Sequence, residues 1–108
     1  LMLELLEIDT PILKSSQMKA SGQSSDLVIN LCKEVGASRY ISGIGGKDYL
    51  KEGDFEDAGI EIIYQAPILP EVYPQPFPEV EFLSDLSVID ILFNCGATWR
   101  DHIPRKVG

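Results

Sequence analysis

Basic residues, cysteine and histidine are all scarce in this chain. Lysine and arginine total 9 against 17 aspartates and glutamates, giving a net charge of −8. So acidic a surface excludes a broad cationic face for nucleic acid or an anionic membrane. A local basic spot that holds a small anion stays compatible with it. The two cysteines, Cys32 and Cys95, and the single histidine, His102, form no CxxC or Cys/His spacing. No zinc site or other metal site is therefore expected. The cysteines read as reduced, buried thiols of a cytoplasmic protein. Long hydrophobic runs are missing too, and none approaches the roughly 20 residues of a membrane span. The opening LMLELLEIDT carries acids where a signal peptide would carry a basic stretch.

What is present suits one small domain. The chain has 108 residues, 44% of them apolar and 24% charged, so a core is feasible and disorder is not indicated. The pattern starts in mid-helix at Leu1 to Glu7, and the expectation is of a fragment that lacks an N-terminal half. TPILKSS reads as a first strand running into a polar loop rich in Ser and Gly. Ser24 or Ser25 is the expected cap of the next helix, with Asp26 in its first turn. Val28, Leu31, Cys32 and Val35 recur at i, i+3, i+4 and i+7, one buried helical face, and Gly36 ends it. Arg39 to Ser42 reads as a strand, KDYLKEGDFEDAG as helical in pieces, and IEIIYQ as the clearest strand. Alternating helices and strands predict an α/β fold with a small parallel, possibly mixed, sheet flanked by helices. Residues 66–83 hold most of the seven prolines and predict a stiff extended connection, either a linker or a pocket wall through Tyr73 and Phe77. Ser84 or Asp85 is the expected cap of a last helix, LSVIDILFNCG, apolar around most of its circumference and so expected to be buried on most sides. Residues 97–108 read as a frayed polar tail.

Two places carry candidate chemistry. The first is SGIGGKDYL, residues 42–50. Glycines between a strand and a helix expose backbone N–H groups, and Lys47 adds a full positive charge, which together suit an anion. The named phosphate motifs fail. A P-loop needs glycine at Ile41 and Ser or Thr at Asp48, and a dinucleotide fingerprint through Gly43 and Gly45 needs a third glycine at Asp48. On residues alone the stretch is either a ligand site or a tight structural turn. The second place is the last helix, where Ser87, Asp90 and Asn94 share one polar face. A buried carboxylate needs a partner. Asp90 either accepts N–H bonds from a neighbouring loop and locks it, or serves as general base or ligand contact. It could also hold the glycine turn or pair with Lys47. Cys95, at a helix C-terminus, is a poor nucleophile. Glu79 and Glu81 read as a solvated face.

Three stretches, LCKEVGASRYISGIGGKDYL, FEDAGIEIIYQ with YPQPF, and LSVIDILFNCG, together resemble the C-terminal half of the WbqC-like protein family. The family's N-terminal opening motif with histidine and tryptophan has no counterpart here. Glu71 and Val72 stand where the family commonly has a histidine. The family is associated with bacterial surface-polysaccharide and O-antigen gene clusters. The resemblance implies a Rossmann-like α/β domain that binds a phosphorylated or nucleotide-linked small molecule and serves as a transferase or modifying enzyme in glycan synthesis. The alternative is a non-catalytic binding or scaffold module. Carried over by position, the marked residues are Ser42, Gly43, Gly45, Gly46, Lys47, Tyr49, Asp90, Asn94 and Cys95. Lys47 with Gly45 and Gly46 would hold the anion, Tyr49 and Tyr73 would pack on the ligand, and Asp90 would orient the turn or act as base. No cofactor can be named, no nucleic-acid or membrane partner is expected, and a homodimer through an exposed edge is a further expectation.

Overall fold

The computed structural model describes residues 1–66 and 68–105, and the chain divides into two compact units. One unit is Asp9–Ala66. It contains helix α2 (Ser24–Glu34), strand β1 (Arg39–Ser42), a 3₁₀ turn at Ile44–Asp48, helix α3 (Glu52–Asp57) and strand β2 (Glu61–Tyr64). The strands pair in parallel, with Arg39 opposite Glu61 and Ser42 opposite Tyr64. Both strands therefore end at the same edge. A parallel pair needs a crossover, and α3 supplies it.

The core of this unit is Ile29, Cys32, Leu50, Phe55 and Ile60. Phe55 is fully buried, and its ring stacks on Tyr40 at a centroid distance of 5.8 Å. Burial pushes the Cys32 thiol pKa above its ordinary value and keeps the side chain a neutral hydrophobe. Side chains alternate along the strands. Tyr40, Ser42, Ile62 and Tyr64 lie on the more buried face, while Arg39, Ile41, Glu61 and Ile63 are exposed on the other. There Arg39 pairs with Glu61 at 3.2 Å. Gly36 and Gly59, at φ 67° and 73°, turn the chain out of α2 and α3 in the left-handed conformation that glycine adopts without steric cost.

Three expectations need correction here. TPILKSS forms no strand: among the described residues the sheet has two strands, β1 and β2, and Ile12 and Leu13 stay exposed. A short apolar stretch without a pairing partner has nothing to satisfy its backbone. The buried face of α2 is also displaced from the periodic reading. It runs through Ser25, Ile29 and Cys32, while Val35 is exposed. Neither serine caps α2, whose preceding residue is Gln23. The Ser25 hydroxyl instead accepts the backbone N–H of Lys51 at 3.1 Å, just before α3, and so ties two helix starts together.

The other unit comprises Leu1–Ile8 and the described part of residues 67–108. It holds helix α1 (Met2–Leu5), helix α4 (Val88–Cys95) and a 3₁₀ turn at Gly96–His102. Most of α4 is not buried: Ile91 is 3% exposed, but Ile89 is 47% and Phe93 87% exposed. The all-round apolar pattern of this helix is therefore only partly covered by the described residues. Its cap is Ser87, whose hydroxyl accepts the N–H of Ile89 at 3.3 Å, rather than Ser84 or Asp85. Gly96 closes the helix at φ 54°, as expected. The tail is not frayed up to His102. Arg100 pairs with Glu7 at 2.8 Å and lies over the Trp99 ring, and Glu71 donates its N–H to the His102 carbonyl at 2.7 Å. Its last three residues, 106–108, lie outside the described ones.

Candidate functional site

Where β1 ends, Ser42 is buried and the chain enters the 3₁₀ turn Ile44–Asp48. The three glycines of this stretch stand in different situations. Gly46 is required by packing. A Cβ there would overlap the Ser42 hydroxyl oxygen and approach Leu50 Cδ1 to 2.9 Å. Its N–H is engaged too, donating to the Gly43 carbonyl at 3.0 Å, and its carbonyl accepts from Leu50 at 2.8 Å. The expectation that the Gly46 amide grips a ligand is thereby corrected: the tightening of the turn consumes it. Gly43 and Gly45 differ. A Cβ at either would meet nothing within 4 Å, and neither has a positive φ. Nothing among the described residues requires glycine at these two positions. Among the described residues the amides of Ile44 and Gly45 have no hydrogen-bond partner.

The ammonium of Lys47 lies 5.1 Å from the centroid of the Tyr64 ring, within cation–π range. Tyr64 is the last residue of β2 and the register partner of Ser42. Its hydroxyl donates to Oε1 of Glu52 at 2.8 Å. Desolvation and that carboxylate both raise the Tyr64 phenol pKa above its ordinary value, so the ring stays neutral and electron-rich beneath the cation. The carboxyl edge of the sheet thus gathers Ser42, Gly43, Gly45, Lys47 and Tyr64. Ligands of open α/β sheets bind outside the carboxyl ends of parallel strands. Tyr49 is half exposed at the end of the same turn. Tyr64 was missed by sequence reasoning. Its only signal was its place as the last residue of a strand parallel to the one before the glycines.

In the other unit Asp90 is the hub of a polar cluster. Tyr73, 5% exposed, donates its hydroxyl to Oδ2 of Asp90 at 2.5 Å. Gln75 donates Nε2 to the same oxygen at 3.1 Å and to the Leu83 carbonyl at 2.9 Å. Gln75 Oε1 in turn accepts the Leu83 N–H at 3.1 Å. Asn94 donates to the backbone carbonyl of Asp90 at 2.8 Å and to Oδ1 at 3.3 Å. Both carboxylate oxygens are occupied, and the cluster fastens the proline-rich segment to α4. Desolvation and the hydrogen bond to Asp90 raise the Tyr73 phenol pKa. The Tyr73 ring meets Phe82 edge-on at 5.1 Å and His102 at 6.1 Å. Tyr73, Gln75, Phe77 and Phe82 line a cavity of about 410 Å³. Phe77 is 70% exposed at its rim and has a φ of 61°, a conformation that is strained for an aromatic residue. Cys95, a position marked by family likeness, is half-buried at the end of α4.

Against known proteins, residues 1–102 match the WbqC-like protein family. The chain belongs to that family. It is also similar to an uncharacterized Mycobacterium tuberculosis protein, Rv1507c, with 26% identity over 98 residues, which covers 91% of this chain. The chain spans 42% of the length of that curated relative. No solved structure matches the chain. The WbqC-like match takes in the glycine turn and α4 together. No helix among the described residues is long and apolar enough to cross a membrane.

Proposed function

We propose that this WbqC-like chain binds a phosphorylated or nucleotide-linked small molecule at the carboxyl edge of its parallel sheet. On this reading it acts in the cytoplasm as a transferase or modifying enzyme of bacterial surface-polysaccharide and O-antigen synthesis, the setting the family resemblance implies. One observation carries the binding site. Gly43 and Gly45 are glycines that nothing among the described residues requires, with a lysine on the same turn. A ligand that presses on the backbone supplies the missing reason. The amides of Ile44 and Gly45 donate to its anionic group and Lys47 neutralises it, while Ser42 shapes the floor of the turn. Tyr49 packs on the remainder of the ligand. The β1–α3–β2 crossover with a ligand at its carboxyl end is a Rossmann-like arrangement, and the reading adopts that fold analogy.

A nucleoside diphosphate titrated into isotope-labelled protein tests the location. The amide resonances of Ile44, Gly45 and Lys47 are expected to shift first. Shifts elsewhere with these three unmoved would remove the site.

A second reading, a non-catalytic binding module, is favoured by the state of Asp90. The acid best placed in the sequence for a general base has both oxygens engaged by Tyr73, Gln75 and Asn94. Incubation with nucleotide-sugars and an acceptor sugar distinguishes the readings. Release of free nucleotide supports the enzyme, and tight binding without release supports the module.

A further inference from the structure

The outer edge of β2 borders a groove of about 470 Å³ lined by Glu52, Glu56, Ile60, Glu61, Ile62 and Tyr64. One wall is the main chain of β2 and the other is α3. Glu61 and Gln65 turn their N–H groups to β1, donating to the Ser38 and Ser42 carbonyls at 2.9 and 2.8 Å. In a parallel ladder the alternate residues face the opposite way. The backbone groups of Ile62 and Tyr64 therefore point into the groove, where, among the described residues, no strand pairs with them. An unpaired row of this kind is a template for one more strand.

We propose that this edge takes up an extended, lysine- or arginine-bearing segment of another polypeptide as a third strand. Charge selects the occupant. Three glutamates flank the exposed row. Glu61 is paired with Arg39 and Glu52 accepts the Tyr64 hydroxyl, while Glu56 has neither an ion pair nor a side-chain hydrogen bond among the described residues and supplies the uncompensated charge. A second copy docking edge to edge would set these glutamates against their own counterparts, which is repulsive. A cationic strand meets them with opposite charge and supplies the missing backbone partners. Main-chain bonds then give the affinity, and the glutamates give the choice of partner.

The test uses two labelled peptides, acetylated alternating Lys-Val and alternating Glu-Val hexamers, followed by anisotropy and by amide shifts. The Lys-Val peptide is expected to bind, more weakly as salt rises, with shifts centred on Ile60 to Tyr64. Glu56→Lys changes an exposed side chain and is expected to weaken it about tenfold with the fold intact. N-methylation of alternate peptide amides is expected to abolish binding, which separates strand addition from loose charge attraction. Equal binding of the two peptides, shifts away from β2, no binding, or a dimer in sedimentation with the edge protected would each overturn the proposal.

Discussion

The hydroxyl of Tyr73 and the Oδ2 of Asp90 lie 2.5 Å apart, a short hydrogen bond to a carboxylate that joins the proline-rich segment to α4. Such bonds are stronger than neutral ones. Tyr73→Phe is expected to lower stability by about 1–3 kcal/mol, because the carboxylate keeps its desolvation without its best donor. Asp90→Ala is expected to cost more, since Tyr73 loses its acceptor while Gln75 and Asn94 each lose one of two. Urea midpoints of the two variants check this, and midpoints equal to the parent's would show the cluster to be idle.

The pH dependence follows from the phenols. Desolvation comes first among the causes that raise the pKa values of Tyr40, Tyr64 and Tyr73. The unfolded chain releases these protons near pH 10, before the folded chain does. Within that window the folded state holds more protons, so stability falls as pH rises. The tyrosine contribution is complete below about pH 10 and is lost above it as the folded values are passed. Thermal melting from pH 8 to 11 is expected to be flat at first and then to drop. In Tyr73→Phe the drop is expected to be shallower.

The fold was largely legible where a pattern had a local cause. Both strands, their parallel pairing and the glycine stops at Gly36, Gly59 and Gly96 follow from periodicity and punctuation. Misreadings occurred where a residue's partner is distant. Ser25 looks like a helix cap in the sequence, yet it serves Lys51, and no local rule links residues 26 apart. TPILKSS has the composition of a strand but pairs with neither strand of the sheet. The apolar circumference of α4 reads as burial, although composition does not say what covers a helix. At the candidate site, Lys47 and the glycines were visible as a cluster. What separates Gly46 from Gly43 and Gly45 is the position of Ser42 and Leu50, which only the fold fixes.

Ser25→Ala measures the distant tie. It removes a buried acceptor from the Lys51 amide and is expected to cost about 1–3 kcal/mol. An ordinary exposed serine would cost within about 0.5 kcal/mol, and that result would contradict the tie.

The three glycines give a graded test. Gly46→Ala is expected to destabilise by about 1–3 kcal/mol through overpacking against Ser42 and Leu50. Gly43→Ala and Gly45→Ala meet open space and are expected to leave stability within about 0.5 kcal/mol. These two are nonetheless expected to weaken ligand binding, because a methyl group now stands where the ligand approaches. Unchanged binding in both would make them incidental.

The most direct measurement is calorimetric titration of nucleotide-sugars and nucleoside phosphates into the parent protein and into Lys47→Ala. The account predicts binding to the parent and an affinity lower by about tenfold or more in the variant, whose lost charge lies over the Tyr64 ring at the carboxyl edge of the sheet. Equal affinity in the two proteins, or binding by neither, would contradict it.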